Sequence, residues 1–241
     1  MTTAAAALAV DRYRHVVVLT GAGVSAASGL PTYRGAGGLW TEGDTARASE
    51  AATLAAEPER VIRFFTGWRP QVLAAEPNPA HHALAAAERR RGAGTTFTVI
   101  TQNIDRLHQR AGSRDVIELH GSLFRSRCTA CDAAPIDDDR GAIDPLPRCG
   151  CGALLRPDVT LFGEPVPARP EHDAKRALRD CDLFVAIGTS GLVWPAAGFV
   201  RGAAYAGARC VYVNTEPLGD ATGFHQAYLG RAEELVPVLF A

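Results

Sequence analysis

Lysine is almost absent from the sequence, and its basic and acidic charges nearly cancel. Among 25 basic residues only Lys175 is a lysine, and the net charge is −1. No overall field therefore attracts the chain to nucleic acid or to an anionic membrane surface. We expect neither nucleic acid nor a membrane as a direct partner.

Two further features are missing, and both bear on location. The Ala-rich residues 1–10 have no basic segment in front of them, so we predict no signal peptide. No apolar run approaches the roughly 20 residues that a membrane helix needs. We therefore predict a cytoplasmic protein, in which disulfides are rare. The six cysteines then require another explanation.

Strand-like and helix-like segments alternate along the chain. The β-branched run at residues 14–20 ends in Gly21-Ala-Gly23, which is typical of a buried parallel strand followed by a tight turn. A helix is expected to begin within residues 24–29, and residues 30–44 are expected to form a long loop. Further strands are predicted at residues 96–101, 116–119, 159–162, 182–187 and 209–213, and helices at residues 58–73, 79–91, 170–179, 195–206 and 231–239.

The glycine turn after the first strand is a candidate dinucleotide site. Glycines at positions 21 and 23 allow a pyrophosphate to approach the backbone, where a helix N-terminus stabilises its charge. Taken alone, the turn is equally compatible with a structural role. Gly29 comes late for the usual fingerprint, and no acidic residue closes a second strand about 20 residues on. An ordinary dehydrogenase is therefore disfavoured.

Four of the cysteines form two close pairs. Cys128 and Cys131 are followed, after seventeen residues, by Cys149 and Cys151. Four thiolates so spaced are typical of a structural, tetrahedral zinc ion, and the apolar-poor segment around them needs such a crosslink to become ordered. We predict one structural zinc ion, against incidental cysteines or a redox dithiol. The second pair is one residue shorter than the usual Cys-x-x-Cys, which predicts some strain.

Six motifs occur in order along nearly the whole chain. They are residues 21–35 (GAGVSAASGLPTYRG), 101–108 (TQNIDRLH), 120–121 (HG), 162–164 (FGE), 188–190 (GTS) and 213–216 (VNTE). Together they resemble the signatures of the sirtuin family of NAD-dependent protein-lysine deacylases, of bacterial type. Residues 35–40 (GAGGLW) resemble the subgroup that includes the desuccinylases. Tyr33 departs from the family, in which phenylalanine is usual.

The resemblance implies NAD-dependent removal of acyl groups, acetyl foremost, from protein lysines, with nicotinamide and O-acyl-ADP-ribose as products. It implies NAD and one structural zinc ion as cofactors, and acyl-lysine proteins or peptides as partners. A monomer is expected. The alternatives are protein ADP-ribosylation or NAD hydrolysis at the same site, a non-catalytic NAD or ADP-ribose sensor, and lastly a dehydrogenase.

Three residues carry the implied catalysis. His120 matches the family's general base, and a histidine pKa of about 6.5 suits that role near neutral pH. Asn103 and Asp105 match contacts to the nicotinamide carboxamide and its ribose. Taken alone, Asn103 or Asp105 would more simply cap the next helix. The implied cofactor contacts are Gly21, Ala22, Gly23, Ser25, Tyr33, Arg34, Gln102, Asn103, Ile104, Asp105, Gly188, Thr189, Ser190, Asn214, Thr215, Glu216 and Ala232.

The acyl preference is predicted from one helix. The desuccinylase subgroup has Tyr-x-x-Arg where an ungapped alignment places Phe65 and Trp68, which share a helical face; plain core residues are the alternative. Without an aligned arginine, a buried succinyl carboxylate would be unpaired and costly, so we expect acetyl or a larger apolar acyl group. A one-residue slip would instead place Thr66 and Arg69 in the site. The implied substrate contacts are Phe65, Trp68, Val159, Phe162, Gly163, Glu164, Leu192 and Val193, of which the last six would hold the peptide as an added strand.

Strands that alternate with helices predict an α/β fold with a parallel sheet. We predict a Rossmann-like parallel-sheet domain with a smaller lobe made of a zinc-binding module and a helical insertion. The NAD-binding Rossmann-like domain comprises residues 1–34, 92–121 and 157–241. The small lobe combines the helical insertion, residues 35–91, with the zinc-binding module, residues 122–156.

Overall fold

The structure is a computed structural model that describes residues 6–32, 43–190, 195–219 and 223–241. Its strands are β1 (His15–Thr20), β2 (Thr96–Thr101), β3 (Val116–Glu118), β4 (Gly121–Cys128), β5 (Ile136–Asp137), β6 (Leu155–Val159), β7 (Leu183–Ile187), β8 (Arg209–Asn214) and β9 (Gln226–Leu229). Its α-helices are α1 (Gly43–Ala48), α2 (Ala51–Ala56), α3 (Pro58–Ala74), α4 (Pro79–Arg89), α5 (Leu107–Arg110), α6 (Ala168–Arg179), α7 (Phe199–Tyr205) and α8 (Ala232–Leu239). None of these helices combines the length and the apolar character that crossing a membrane requires.

The larger sheet is parallel and is covered by helices on both faces. Within the described residues its strand order is β3-β2-β1-β7-β8-β9, and every neighbouring pair is parallel. Alternate residues of β1 point to opposite faces: Val16 and Val18 pack with α4 and α8, whereas Val17 and Leu19 pack with α6 and α7. The predicted α/β fold with a Rossmann-like parallel sheet is confirmed.

The strand order fixes where the functional loops meet. From the central β1 the chain runs outward to β2 and β3, and it later returns beside β1 to build β7, β8 and β9. The order therefore changes direction between β1 and β7. In open parallel sheets the ligand crevice lies at such a switch point, beyond the carboxyl ends of the strands.

A smaller antiparallel sheet, in the order β5-β4-β6, carries the cysteine segment. Helix α3 packs against it through an apolar cluster that includes Phe65, Leu123 and Val159. Arg69, also on α3, is fully buried against this sheet: Nε donates to the Leu123 carbonyl at 2.9 Å, and Nη1 lies 3.2 Å from an Asp138 carboxylate oxygen. The domain bounds drawn from the sequence stay a prediction.

Several local expectations were wrong. The helix expected within residues 24–29 is replaced by two 3-10 turns, Ala22–Val24 and Ala26–Ser28, and Gly29 ends them at φ 82°. The strand expected at 159–162 ends at Val159. The helix expected at 195–206 divides into a 3-10 turn, Ala196–Gly198, and α7. Strands β4, β5 and β9 and helices α1 and α2 were not predicted, and β6 shares only Val159 with the strand expected at 159–162.

Candidate active site

A cleft of about 810 Å³ opens at the carboxyl ends of the large sheet. Loops that follow β1, β2, β7 and β8 line one side of it, and α3 with the β4–β6 sheet lines the other. The sequence-predicted site residues that line it are Gly21, Ala22, Gly23, Ser25, Phe65, Trp68, Gln102, Asn103, Ile104, Asp105, His120, Val159, Phe162, Gly163, Glu164, Gly188, Thr189, Ser190, Asn214, Thr215 and Glu216.

The remaining predicted residues are placed differently. Tyr33, Arg34, Leu192 and Val193 lie outside the described residues. Ala232 does not line the cleft; it is buried at the start of α8, in the apolar core on that face of the large sheet.

The glycine turn after β1 packs against the glycine turn after β7. Gly21 N–H donates to the Ile187 carbonyl at 3.1 Å, and Gly23 N–H donates to the Gly188 carbonyl at 2.9 Å. A Cβ on Gly23 would come within 2.7 Å of Gly188 Cα, and one on Gly21 within 2.7 Å of the Gly188 oxygen. The two turns therefore meet backbone to backbone, and this contact requires glycine at positions 21 and 23.

Asn103 and Asp105 are tied to that turn through Ser25. The Asn103 side-chain amide donates to the Gly21 carbonyl and to Ser25 Oγ, both at 3.1 Å. Ser25 Oγ in turn donates to Asp105 at 2.7 Å, while the other Asp105 oxygen accepts from Leu107 N–H at 2.9 Å. Burial raises the pKa of Asp105, although the hydrogen bonds from Leu107 and Ser25 oppose that shift. Asp105 thus accepts a helix-terminal amide, as the capping alternative predicted, and also holds the turn.

His120 lies between β3 and β4, at the edge of the same cleft. Its Nδ1 is 3.1 Å from the Gln102 carbonyl. A carbonyl oxygen only accepts, so Nδ1 carries the proton and Nε2 is a bare base. Burial lowers the pKa of His120, against the opposing effect of the Gln102 hydrogen bond, so the imidazole is neutral at neutral pH.

Glycine is required at position 121 for steric reasons. Gly121 has φ 80°, and a Cβ there would lie 2.0 Å from the Asp158 carbonyl oxygen. No side chain fits between the paired strands β4 and β6 at this point, so their close approach requires glycine after His120. Thr160 N–H donates to the His120 carbonyl at 2.9 Å and holds the backbone on the other side.

The end of the cleft beside α3 is apolar. Phe65 and Trp68 line it together with Leu123, a residue that sequence reasoning missed because β4 was not predicted. The alternative register is not supported: Thr66 and Arg69 do not line the cleft, and Arg69 is bonded into the small sheet instead.

Glu164, at the predicted peptide-binding edge, is held by two arginines. Its carboxylate accepts from Arg156 at 2.8 Å and from Arg127 at 3.3 Å, and it also accepts from Leu161 N–H at 2.9 Å. A carboxylate so engaged is a structural anchor rather than an acid or a base. It fixes the backbone that precedes it, including Phe162.

Polar side chains join the turns after β2, β7 and β8. Gln102 Nε2 donates to Thr189 Oγ1 at 2.9 Å, and the Asn214 side-chain amide donates to the Thr189 carbonyl at 3.1 Å. Asn214 also donates to the hydroxyl of Tyr212, which lines the cleft and was not predicted. These bonds preorganise the far end of the cleft, where Thr215 and Glu216 follow.

The four clustered cysteines fit one zinc ion. Their Sγ atoms all lie within 4.8 Å of one another, with Cys128 to Cys151 at 3.5 Å and Cys131 to Cys149 at 3.7 Å. Zn–S bonds of about 2.3 Å give a tetrahedron with an edge of about 3.8 Å, whereas a disulfide needs about 2.05 Å. The donor set and its spacing therefore match tetrahedral zinc.

The short second cysteine pair is accommodated by a tight turn. Gly152 N–H donates to the Cys149 carbonyl at 2.9 Å, and Cys149 N–H donates to the Ala153 carbonyl at 2.8 Å. Gly152 has φ 91°, a conformation that favours glycine. This turn directs the thiols of Cys149 and Cys151 toward the first pair. In the first pair, two backbone amides donate to Cys128 Sγ at 3.4 Å.

The comparisons with known proteins agree on one family. The model of the Sir2 family matches residues 21–195. The chain is 45% identical over 228 residues to NAD-dependent protein deacylase 2 of Pyrobaculum aerophilum, covering 94% of this chain and 90% of that protein. It is 42% identical to NAD-dependent protein deacylase 1 of Pseudomonas aeruginosa, covering 94% and 93%. The solved structure of a Sir2 homologue in complex with NAD is similar at a TM-score of 0.86 and 39% identity, covering 96% of this chain and 90% of that one.

Proposed function

This chain belongs to the Sir2 family and catalyses NAD-dependent protein deacylation, and we propose that acetyl and larger apolar acyl groups on lysine are its preferred substrates. The deacylation activity is that of named relatives 41–45% identical over most of the chain. The observation that carries the proposal is the placement of His120, with a bare Nε2, in one cleft with the glycine turns and an apolar end pocket.

Different residues along the cleft would hold different parts of NAD. Bound NAD would supply nicotinamide as the leaving group and its ribose as the acceptor of the acyl group. The turn of residues 21–25 would hold the pyrophosphate, and Asn103 and Asp105 would orient the nicotinamide end. Residues 214–216 would hold the adenosine end.

His120 moves the proton. Its Nδ1–H is anchored on the Gln102 carbonyl, so Nε2 faces the reaction as an acceptor. Nε2 takes the proton of a ribose hydroxyl and so makes that oxygen nucleophilic toward the acyl carbon. A neutral imidazole is required for this step, and burial of His120 favours it by lowering the pKa.

The acyl preference follows from the charges that line the cleft. Among its described lining residues there is no arginine or lysine, and the carboxylates are Asp105, Glu164 and Glu216. A succinyl or malonyl carboxylate would be desolvated there with no cation among the described lining residues to pair with it. An apolar acyl chain instead fills the pocket of Phe65 and Trp68.

The test is a matched panel of acetyl, butyryl, succinyl and malonyl peptides, with and without NAD, read by mass spectrometry. We expect NAD-dependent loss of the apolar acyl groups and slow loss of the acidic ones. The variant Phe65→Tyr/Trp68→Arg should gain about tenfold to a hundredfold in kcat/KM for succinyl peptide, the worth of a charge-assisted hydrogen bond. Phe65→Tyr alone is the control, because it adds a hydroxyl but no cation. Faster desuccinylation than deacetylation by the unaltered protein would contradict the proposal.

We also propose a peptide-binding segment, a cellular location and an oligomeric state. Residues 159–164, fixed by Glu164 and by the backbone bond to His120, are suited to pair with an extended acyl-lysine peptide. The zinc ligands Cys128, Cys131, Cys149 and Cys151 must stay reduced to bind the metal, which supports a cytoplasmic location. A monomer is proposed, since the residues that line the cleft in the described part of the chain all come from one chain.

A further inference from the structure

Two histidines with no part in the chemistry above are buried beside the cleft. His81 on α4 and His108 on α5 are 0% and 1% exposed, and their ring centroids are 4.8 Å apart at an interplanar angle of 61°. Burial lowers the pKa of His81 to about 2 and that of His108 to about 4, so both are neutral at neutral pH. A neutral imidazole has one donor and one acceptor nitrogen, and its tautomer decides what it can hold.

The tautomer of His81 follows from the start of α4. Its Nδ1 accepts the backbone N–H of Asn78 at 3.3 Å, so the proton sits on Nε2. Within the described part of the chain this buried Nε2 has no hydrogen-bond partner. His81 therefore presents an unpaired donor.

His108 presents the complementary atom. Its Nε2 is 2.9 Å from Thr20 Oγ1, and Thr20 Oγ1 donates to Thr101 Oγ1 at 2.9 Å. With its own proton so used, Thr20 can only accept from His108, which places the His108 proton on Nε2. Nδ1 is then a bare acceptor, buried and without a partner among the described residues.

The opposite assignment is costly. If Thr20 donated to His108, the His108 proton would sit on Nδ1. Two buried N–H donors, that nitrogen and His81 Nε2, would then lie on adjacent rings with no acceptor, at about 1–3 kcal/mol for each unmet group. In the favoured assignment the two nitrogens are also unpaired, but one is a donor and the other an acceptor, so two like N–H groups do not lie on adjacent rings.

Two separate hydrogen-bonded segments reach the nucleotide-binding loops, because within the described residues no hydrogen bond joins the two rings. In the segment that contains His108, Thr101 Oγ1 accepts the backbone N–H of Asn103 at 3.1 Å, and Thr20 directly precedes Gly21. In the segment that contains His81, the Asn78 side-chain amide donates to the Val24 carbonyl at 2.8 Å. His108 is thus bonded, through Thr20 and Thr101, to the loop after β2.

We propose that His108, Thr20 and Thr101 form a relay of hydrogen bonds that positions Asn103 against the Gly21 turn, with the His81 ring packed edge-on against His108. They are positioning residues and do not touch substrate. The relay rests on the proposed role of Asn103 in orienting the nicotinamide end of the cofactor. It requires one tautomer of His108, with the proton on Nε2.

The first test is independent of catalysis. Nitrogen-15 NMR of the histidine side chains in the whole protein distinguishes Nδ1–H, Nε2–H and doubly protonated rings, and spectra of His81→Gln and His108→Gln assign the two signals. We expect both rings to be neutral Nε2–H tautomers at about pH 7. An Nδ1–H or a charged ring at His108 overturns the relay, whatever the enzyme's activity.

The second test asks whether the relay acts on the reaction. Thr101→Val removes the shared oxygen at nearly constant volume, whereas Thr101→Ser keeps it. We expect Thr101→Val to lower kcat about tenfold, the worth of one buried hydrogen bond, with KM for acyl peptide changed less than about twofold.

Two further comparisons, a conservative substitution and a double variant, distinguish a hydrogen-bonded relay from a role in packing alone. Thr101→Ser should retain kcat within about twofold, and His108→Phe combined with Thr101→Val should lose little more than either alone. Equal losses in Thr101→Ser and Thr101→Val, or an unchanged kcat in folded Thr101→Val, overturns the proposal. If the unaltered protein deacylates no peptide, the proposed function fails, while the tautomer result still decides the relay.

Discussion

Replacing Arg69 by methionine should destabilise the protein, because the buried Asp138 carboxylate loses one of its two arginine partners. The Arg69 and Asp138 side chains are 0% and 1% exposed, and their closest charged atoms are 3.2 Å apart. Removal of one partner of a buried pair costs about 3–5 kcal/mol, because the other charge stays buried. Arg140 also contacts Asp138, at 2.7 Å, and remains in the variant. We therefore expect the lower end, about 3 kcal/mol, or about 6–12 °C in Tm for a domain of this size.

The assay is reversible urea unfolding in the presence of zinc, with a thermal scan beside it. The matched control is Arg140→Ala: this side chain is 55% exposed, so its loss should cost about 1 kcal/mol or less. The variant Arg69→Met/Asp138→Leu removes both charges and should recover part of the loss. If Arg69→Met lies within about 1 kcal/mol of the unaltered protein, or costs less than Arg140→Ala, the reasoning from burial is refuted.

Three further outcomes are expected. His120→Ala should lower kcat about 10²–10⁴-fold with Tm nearly unchanged; full activity in that variant would refute the assignment of the base. Since burial lowers the pKa of His120 and only the neutral ring accepts a proton, kcat/KM should fall as pH drops through a value below about 6.5; an acid limb centred higher would contradict it. Elemental analysis should give one zinc per chain, and Cys151→Ser or a chelator should remove it and expose β4 and β5 to hydrogen exchange before the large sheet; metal-free protein with unchanged exchange would argue against a structural ion.

The sequence predicted the large sheet well because its strands are continuous apolar runs. β1 and β7 are buried on both faces, and such runs distinguish parallel strands without any tertiary information. The strands that were missed are short or mixed: β9 has four residues, and β4 carries two arginines along its length. Their pairing depends on partners that only the folded chain supplies.

The wrong prediction of a helix after Gly23 shows that the spacing of motif residues does not reveal contacts between distant strands. The two glycines were interpreted as room for a ligand, yet the contact that requires them is with Gly188. That residue is distant in sequence, and its approach depends on β7 lying beside β1. The strand order could not be obtained from the motifs themselves.

The acyl pocket shows a similar ambiguity on a single helix. Trp68 and Arg69 are three and four residues after Phe65, so helical spacing allows either to share its face. The carbonyl of Leu123 decides between them, because it accepts from Arg69 Nε and holds that side chain against β4. No pattern within α3 contains that information.

The position of β1 has a consequence for synthesis on the ribosome. Val16 pairs with Leu183, a partner that is translated about 170 residues later, or roughly 10–30 s at about 5–20 residues per second. Until then a nascent chain carries a largely apolar strand with one open hydrogen-bonding edge, a feature prone to intermolecular pairing. We therefore expect protection of that edge during translation to raise the share of the protein that reaches its native state.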